Sequence, residues 1–426
     1  MSFPNSTGGS DSRYPLHKIF PVNIPKSCAD VRTWIEIDGR ALAQNLRSFR
    51  LLLGQKIKIM AVVKSNAYGH GLYTIAPLLQ KLGVDSLAVD SLVEARALRR
   101  ANVTAPMLVL GYTLPNCLKE ATAKNVSVTI SSFEQLAALA PRHFNKPLRT
   151  HIKVDTGLHR QGFLLTELPR LLKTLHRYYK KIIIEGLYSH LASATDPSEL
   201  GYARQQINDF KKAIALFNAA GLKPITHLAA TDGALCTKDA WFDMVRLGIG
   251  LYGLWPSPQT RAKHERHLKL TPVLAWRTII SEIKRLPVGA RIGYEGTETL
   301  KRSSYIAVCP IGYWHGYPRL LSSRSRVLVR GAFCKLLGRV SMDMITIDVT
   351  HVRNVRAGDV VTLIGRDGKN QVTAEELAEL SGTINYEIVT RVNPLIRRAE
   401  VVTRINPLIR RVIVSRISRG RVGRGH

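Results

Sequence analysis

The segment AVVKSNAYGHG (Ala61–Gly71) places a lysine directly after a run of apolar residues. The run from Ile57 to Val63 is typical of a buried strand, and two glycines interrupt the pattern before a helical one resumes at Leu72. We therefore expect Lys64 at the carboxyl end of a parallel strand, where α/β proteins keep their chemistry. An amine in such low-dielectric surroundings loses its proton more easily and can form a Schiff base with an aldehyde, although a strand-end lysine can equally extend into solvent.

Strand-like runs alternate with helical patterns eight times over roughly 200 residues, which is the pattern of a (β/α)8 barrel in the α/β class. The runs are Ile57–Val63, Asp85–Val89, Pro106–Leu110, Val126–Ile130, Thr150–Val154, Ile182–His190, Ile225–Ala230 and Met244–Gly250.

The pattern changes after about Pro258, where short β-rich runs are joined by turns. These runs are Val273–Arg285, Tyr305–Ile311, Arg326–Val329, Lys335–Leu337, Met344–Val349 and Val360–Ile364. They predict a separate C-terminal all-β domain.

The composition limits the class of protein. The 426 residues carry a net charge of +31, which would attract nucleic acid or anionic membranes without specificity. No zinc-finger spacing, RNP motif or heptad basic region accompanies the charge, so a basic solvated surface is the favoured interpretation. Binding of nucleic acid or another polyanion by the arginine-rich C-terminal end remains an alternative.

The chain shows no sign of a membrane or secreted protein. It contains no run of 18 uncharged apolar residues, and its first thirty residues are polar rather than basic and then apolar. The five cysteines are scattered, without metal-ligand spacing. We therefore expect a cytoplasmic protein with reduced thiols and no metal site.

The segment around Lys64 resembles the pyridoxal-phosphate lysine motif of the alanine racemase family, and similarity to that family continues from about Trp34 to about Val414. The resemblance implies pyridoxal 5′-phosphate as cofactor, bound by a barrel that a β domain follows (fold type III). It also implies that the initial strand, Trp34–Asp38, pairs with the β domain.

The expected domains follow from these observations. Residues 1–31 form a flexible extension, residues 32–45 the first strand of the β domain and the lead-in to the barrel, and residues 46–262 the cofactor-binding barrel. Residues 263–414 form the β domain, and residues 415–426 a basic tail. Within the β domain, VTRVNPLIRR at Val389–Arg398 recurs almost unchanged at Val402–Arg411, a tandem duplication with a period of 13 residues.

The resemblance assigns two catalytic bases to opposite faces of the substrate Cα. One is Lys64, and the other is Tyr294, in the matching segment Gly289–Thr297. A phenol is mostly protonated at neutral pH, so it needs positive neighbours to act as a base. The family supplies a histidine and an arginine for this, which fall here on His190 and Arg246.

In the family, the arginine matching Arg246 faces the pyridine nitrogen. A guanidinium only donates hydrogen bonds, so the ring nitrogen stays unprotonated and the ring is a weak electron sink. This favours proton exchange over transamination. The alternative for a buried arginine on a strand is an ion pair, here with Asp243.

The remaining site residues also follow from matches to family motifs. The phosphate would be held by the backbone of Gly248 and Ile249 and by three hydroxyl side chains: Tyr68, Thr231 and Tyr386. Arg160 would contact the cofactor and the substrate carboxylate. Lys153 matches a lysine that many members carry as a carbamate, which would orient that arginine.

Met342 would bind the substrate carboxylate, and Tyr313 would gate the entrance to the active site. Together with Tyr294 they belong to the β domain and would reach the partner's barrel, which implies a homodimer with shared active sites. Trp314 and His315 depart from the family pattern of a small residue and an aspartate, so the entrance is expected to differ.

The resemblance thus implies an alanine racemase, an isomerase that interconverts L- and D-alanine by a two-base mechanism on the pyridoxal-phosphate aldimine. It would supply D-alanine for peptidoglycan. The alternatives are a serine or broad-spectrum amino-acid racemase of the same fold and, from another class, a fold-type III pyridoxal-phosphate decarboxylase. The decarboxylase would lack the second base at Tyr294.

Overall fold

The computed structural model describes residues 30–178, 180–193 and 200–400. Its first strand, β1 (Thr33–Ile37), leads into helix α1 (Gly39–Leu53). Asp38 begins this helix, because its Oδ1 accepts hydrogen bonds from the N–H groups of Arg40 and Ala41 at 2.8 and 3.0 Å. In the described part of the chain no helix has both the length and the apolar character needed to cross a membrane.

A parallel sheet follows β1, and it contains a strand at each of the eight predicted runs. Its strands are β2 (Lys58–Val62), β3 (Ser86–Val89), β4 (Met107–Val109), β5 (Ser127–Ile130), β6 (Leu148–Asp155), β7 (Phe163–Leu164, beside β6), β8 (Ile182–Tyr188), β9 (Ile225–His227) and β10 (Met244–Leu247).

The sheet curls into a nearly closed barrel. The strand order is β10-β2-β3-β4-β5-β6-β8-β9, so the last strand pairs with the first. Two hydrogen bonds join β10 to β9 at the remaining gap: Asp243 N–H donates to Thr226 O and Arg246 N–H to Ala229 O, both at 3.0 Å. The predicted (β/α)8 barrel is confirmed.

Helical segments separate the barrel strands; the first, Lys64–Tyr68, is a left-handed turn rather than a regular α-helix. They are α2 (Lys64–Tyr68), α3 (Leu72–Lys81), α4 (Leu92–Arg100), α5 (Leu118–Ala123), α6 (Phe133–Ala137), α7 (Leu168–His176), α8 (Leu200–Ala219), α9 (Thr231–Cys236) and α10 (Pro258–His264). A cluster of buried apolar side chains, formed by Met60, Val62, Ala88, Leu108 and Met244, packs together on strands β2, β3, β4 and β10.

The second sheet has ten strands in the order β12-β15-β18-β17-β16-β19-β11-β1-β21, with β20 beside β19, and a separate hairpin joins β13 to β14. The strands are β11 (Leu274–Ile279), β12 (Glu282–Leu286), β13 (Arg291–Ile292), β14 (Glu298–Thr299), β15 (Ser304–Cys309), β16 (Arg326–Val329), β17 (Ala332–Leu337), β18 (Ile345–Asp348), β19 (Val360–Asp367), β20 (Asn370–Val372) and β21 (Arg397–Glu400).

Two details of this domain differ from the sequence prediction. The run Val273–Arg285 is two strands, because the chain changes partner there: Ile280 N–H donates to Asp359 O, and Ser281 N–H to Val308 O beyond the break. The C-terminal part also contains the helices α11 (Ala374–Leu380) and α12 (Asn385–Thr390), so it is mostly rather than entirely β. Thr373 caps α11 by accepting from the Glu376 N–H at 3.0 Å.

The chain divides into two compact units. Among the described residues, one contains residues 30–36, Ala275–Ile384 and Leu395–Ala399; the other contains Ile37–Leu274, Asn385–Pro394 and Glu400. Helix α12 therefore belongs to the barrel unit. The first copy of the duplicated decapeptide extends from α12 into β21, whereas the second copy and the basic tail lie outside the described residues.

Candidate active site

Lys64 begins a left-handed turn at the carboxyl end of β2. The four residues after it, Ser65 to Tyr68, have φ angles of 55, 55, 53 and 52° although none is glycine. A left-handed conformation costs roughly 1–2 kcal/mol per residue, so surrounding contacts must hold this turn. The sequence predicted a polar turn here, but only Asn66 is of a type that commonly adopts this conformation.

Gly69 lets the turn approach helix α12. Its φ is +80°, and a Cβ atom at this position would lie 1.8 Å from the carbonyl oxygen of Val389. Helix α12 carries Tyr386, whose ring centroid lies 6.1 Å from that of Tyr68. Close packing at Gly69 therefore brings the two predicted phosphate-binding tyrosines together.

A cavity of ≈ 540 Å³ opens at the carboxyl ends of the barrel strands. This is the end of a (β/α)8 barrel where enzymes bind their substrates. Ten of the predicted site residues line it: Lys64, Tyr68, Lys153, Arg160, His190, Thr231, Arg246, Gly248, Ile249 and Tyr386. The other three, Tyr294, Tyr313 and Met342, belong to the other compact unit.

Arg246 is buried and donates hydrogen bonds through both terminal nitrogens. Nη1 donates to His227 Nδ1 at 2.8 Å, and Nη2 donates to His190 Nδ1 at 3.0 Å. Backbone carbonyls of His227, Ser189 and Leu228 accept further bonds of 2.7–3.1 Å. Asp243 instead accepts from Thr226, so the alternative of an Arg246–Asp243 ion pair is not realised.

The hydrogen bonds of Arg246 fix the tautomers of a buried histidine chain. Because arginine only donates, Nδ1 of His190 and of His227 must be the unprotonated nitrogen. His227 then carries its proton on Nε2 and donates it to His151 Nδ1 at 2.9 Å. Burial lowers the pKa of His151 to about 4, and burial beside Arg246 lowers the pKa values of His190 and His227 well below the ordinary histidine value.

The histidine chain depends on Gly186 and Tyr188 of strand β8. A Cβ atom on Gly186 would lie 2.0 Å from His151 Nδ1, so glycine provides the space for that ring. Tyr188 stacks on His227 with centroids 4.8 Å apart, and its hydroxyl lies 2.8 Å from Thr129 Oγ1. Burial raises the pKa of Tyr188 to about 12, so the phenol stays protonated.

One wall of the cavity has the features of an anion cradle. Thr231 Oγ1 accepts from the Gly248 N–H at 3.1 Å, and the Ile249 N–H has no hydrogen-bond partner among the residues that the structure describes. A Cβ atom on Gly248 would lie 2.6 Å from the Tyr68 hydroxyl. Burial raises the pKa of Tyr68 to about 12 and also raises the pKa of Tyr386, so both hydroxyls can donate.

Lys153 lies on β6 near the end of that strand, and its side chain is buried. Its Nζ donates to Gln161 Oε1 at 3.3 Å, and in the described ranges no carboxylate lies within ion-pair distance of Lys153 or Arg160. Burial, with Arg160 and Arg246 nearby, lowers the pKa of Lys153 from 10.5 to about 8. Several cations thus face a cavity in which an anion is the expected ligand.

Tyr294, Tyr313 and Met342 lie on neighbouring loops of the other unit, with 70, 43 and 51% of their surfaces exposed. The Tyr313 N–H donates to Ser341 O and the Trp314 N–H to Met342 O, both at 3.0 Å. These bonds join the loops on which Tyr313, Trp314 and Met342 lie. His315 accepts from the Gly312 N–H through Nδ1 at 3.2 Å, so it closes the turn that carries Tyr313.

Sequence reasoning did not assign roles to His151, His227, Tyr188, Gln161 or Glu94. His151 lies two residues before Lys153 on an alternating strand, so its inward direction could have been inferred. No pattern in the sequence indicated that Gln161 contacts Lys153.

Comparison with known proteins identifies the family. Residues 37–256 match the model described as "Alanine racemase, N-terminal domain", and residues 273–400 match "Alanine racemase, C-terminal domain". The alanine racemase of Symbiobacterium thermophilum is 39% identical over 86% of this chain and 96% of that relative. That of Leptospira interrogans is 35% identical over 86% of this chain and 95% of the relative.

Solved structures agree with the sequence relatives. Alanine racemase from Bacillus anthracis, with bound L-Ala-P, superposes with a TM-score of 0.81 and 35% identity, covering 87% of this chain and 96% of that one. The Clostridium difficile 630 enzyme has a TM-score of 0.81 and 32% identity, covering 88 and 98%. The chain belongs to the alanine racemase family.

Proposed function

We propose that this protein is a pyridoxal-phosphate-dependent alanine racemase, which interconverts L- and D-alanine and so supplies D-alanine for peptidoglycan. The observation that carries the proposal is the cavity at the carboxyl end of the barrel, where Lys64 and Arg160 face a wall of anion-binding groups. Members of this family generally depend on pyridoxal phosphate.

The cavity suits a group with an anionic end and a basic ring nitrogen. The Ile249 N–H and the hydroxyls of Tyr68 and Tyr386 are donors for a phosphate, in the space that a side chain on Gly248 would fill. At the other end, the Nε–H of Arg246 has no hydrogen-bond partner among the described residues, so it is the donor left for a ring nitrogen. These residues would hold pyridoxal phosphate, with Lys64 as its amine partner.

When bound, pyridoxal phosphate supplies an aldehyde that condenses with amines and a ring that withdraws electrons from Cα. Lys64 Nζ takes or returns the Cα proton on one face of the substrate. The Tyr294 hydroxyl does the same on the other face, because a single base tends to return the proton to the side that it left. Arg160 binds the substrate carboxylate as a bidentate donor.

His190 supports the tyrosine. Its Nδ1 is occupied by Arg246, so the neutral ring keeps its proton on Nε2 and donates from there. A hydrogen bond donated to the phenol oxygen favours the phenolate and makes the tyrosine a better base.

The active sites are shared between two subunits. Tyr294, Tyr313 and Met342 present exposed side chains on adjacent loops of the β-rich unit, as a surface that completes another chain's barrel requires. We therefore propose a homodimer in which each subunit supplies these residues to its partner, with Met342 at the substrate carboxylate and Tyr313 at the entrance.

Lys153 is proposed to carry a carbamate. A buried amine whose pKa is lowered to about 8 is partly unprotonated near neutral pH, and only the unprotonated amine reacts with CO2. The added negative charge would offset the repulsion between Lys153 and Arg160 and orient the guanidinium.

A second candidate is a serine or broad-spectrum racemase. Trp314 is 49% exposed, and its ring packs edge-on against His315 with centroids 5.1 Å apart. A fixed indole beside Tyr313 would change which side chains pass the entrance. The decarboxylase alternative is disfavoured because it gives Tyr294 no role. Polyanion binding by the basic tail concerns residues outside the described ranges.

The test is racemisation by the purified holoenzyme in D2O, with a panel of single-enantiomer amino acids. We expect alanine to racemise fastest and to gain deuterium at Cα, and Lys64→Ala to abolish both. Faster turnover of serine would favour the second candidate, and release of CO2 without racemisation would overturn the proposal.

A further inference from the structure

Glu94 lies in the first turn of helix α4, and its side chain does not bond as in an ordinary capping box. The sequence Ser91-Leu92-Val93-Glu94 has the form of a capping box, and Ser91 Oγ accepts from the Glu94 N–H at 3.4 Å. In a capping box the glutamate side chain returns to the N–H of the N-cap residue. Here Oε2 accepts instead from the Asp90 N–H at 2.8 Å, and Oε1 leaves the helix and accepts from the Asn66 N–H at 3.3 Å.

The partner of Glu94 lies inside the strained turn that follows Lys64. Helical bonding within this turn starts only with the Ala67 N–H, which donates to Val63 O at 2.9 Å, so the Asn66 N–H needs an acceptor from elsewhere. Asn66 also ties the turn to helix α3, because its Oδ1 accepts from the Leu72 N–H at 2.8 Å. Glu94, which follows the next barrel strand β3, thus binds the central residue of the turn that follows β2.

A carboxylate suits this position better than an amide would. Two N–H donors from different loops converge on it, one on each oxygen, and both bonds are to a charged acceptor. A glutamine could accept only through one oxygen, and its NH2 group would face the other N–H.

We propose that Glu94 is a positioning residue for Lys64: its carboxylate holds the left-handed turn closed and so keeps the lysine at the wall of the cavity. The importance of that position rests on the proposed function, but the mechanical role of Glu94 does not. The competing interpretation is a cap that stabilises only the start of α4.

The variants are Glu94→Gln, which keeps the shape of the side chain, and Glu94→Ala. Glu120→Gln is the matched control, since Glu120 lies on the neighbouring helix α5 and accepts two bonds from Arg96 at 2.6 and 2.8 Å. Hydrogen exchange of the apoprotein is followed in peptides covering residues 64–70 and 90–96. The dissociation constant of pyridoxal phosphate is measured separately by titration.

In Glu94→Gln we expect exchange in residues 64–70 to accelerate, and the dissociation constant to rise, each by about tenfold or more, the size expected for loss of a charge-assisted hydrogen bond. Glu120→Gln should change neither. Faster exchange confined to residues 90–96 would show that Glu94 is only a cap, and an unchanged dissociation constant would equally overturn the proposal.

The two proposals fail in different ways. If the wild-type protein does not bind pyridoxal phosphate, the proposed function fails, while the exchange data still decide whether Glu94 holds the turn. If Glu94→Ala does not fold, Glu94→Gln decides the question alone.

Discussion

Replacing Lys153 with methionine should stabilise the apoprotein at neutral pH. Lys153 is 5% exposed, and its pKa is lowered from 10.5 to about 8, mainly by burial. At 1.36 kcal/mol per pKa unit, this shift of roughly 2.5 units means that the charged amine costs the folded state about 3 kcal/mol. Methionine removes the charge and fills a similar volume, but it loses the 3.3 Å bond to Gln161 and the contact of the ammonium with the Tyr188 ring, 5.5 Å from the ring centroid. About 3 kcal/mol is therefore the upper limit of the gain.

The gain should depend on pH in a defined direction. The folded pKa of Lys153 lies below its unfolded value, so between pH 8 and 10.5 the unfolded state binds more protons and stability rises with pH. Below about pH 8 the amine of Lys153 is mostly charged in both states, so the folded state bears the full cost of burying that charge. The advantage of Lys153→Met should therefore shrink from about 3 kcal/mol at pH 7 to about 2 at pH 9 and about 1 at pH 10.

The assay is chemical denaturation of apoprotein in CO2-free buffer at these pH values. The control is Lys212→Met, which changes a lysine that is 70% exposed on α8 and should show no such trend. Bicarbonate should stabilise the wild type but not Lys153→Met, because a carbamate needs the unprotonated amine. A Lys153→Met protein that is no more stable than wild type at pH 7, or whose advantage grows with pH, would refute the reasoning.

Two further predictions concern packing and hydrogen bonding around the site. Gly69→Ala should lose about 3 kcal/mol or more in chemical denaturation, because its Cβ would overlap Val389 O. Gly221→Ala, at a similar φ of +77° with open space, should lose only about 1 kcal/mol, and equal losses would contradict the role given to close approach. Arg246→Lys should lower the free energy of unfolding by about 2–4 kcal/mol and the racemisation rate by about tenfold or more, because the three donors of an ammonium cannot replace those of the guanidinium. Stability near that of the wild type would show that the hydrogen bonds of Arg246 do not matter.

The sequence predicted the barrel well because its signal is repeated. Each of the eight strands is a short β-rich run next to a helical pattern, and both periods are visible without tertiary information. The position of Lys64 at a strand end followed from the same signal. In contrast, Val273–Arg285 divides at Ile280 because its two halves pair with different strands. A local sequence pattern does not show which strands pair.

The local geometry of the site was less predictable. Of the residue types Ser65 to Tyr68 only Asn66 commonly adopts a left-handed conformation, so four such residues in a row depend on contacts from distant parts of the chain, such as the bond from the Asn66 N–H to Glu94. A capping box at Ser91 would place the Glu94 carboxylate on the Ser91 N–H, whereas it accepts from the N–H groups of Asp90 and Asn66. Helix α11 could have been predicted, since Thr373 followed by Glu376 and an apolar repeat is a helix-start signal.

The central claim is that Lys64 and Tyr294 act on opposite faces of Cα, and isotope exchange by Tyr294→Phe tests it most directly. L- and D-alanine are incubated separately with the holoenzyme in D2O, and deuterium at Cα and optical configuration are measured. Tyr294 is 70% exposed, so its replacement should leave each chain folded. We predict that racemisation falls about a hundredfold or more and that only one enantiomer still exchanges its Cα hydrogen. Equal exchange of both enantiomers, or racemisation at the wild-type rate, would contradict the two-base account.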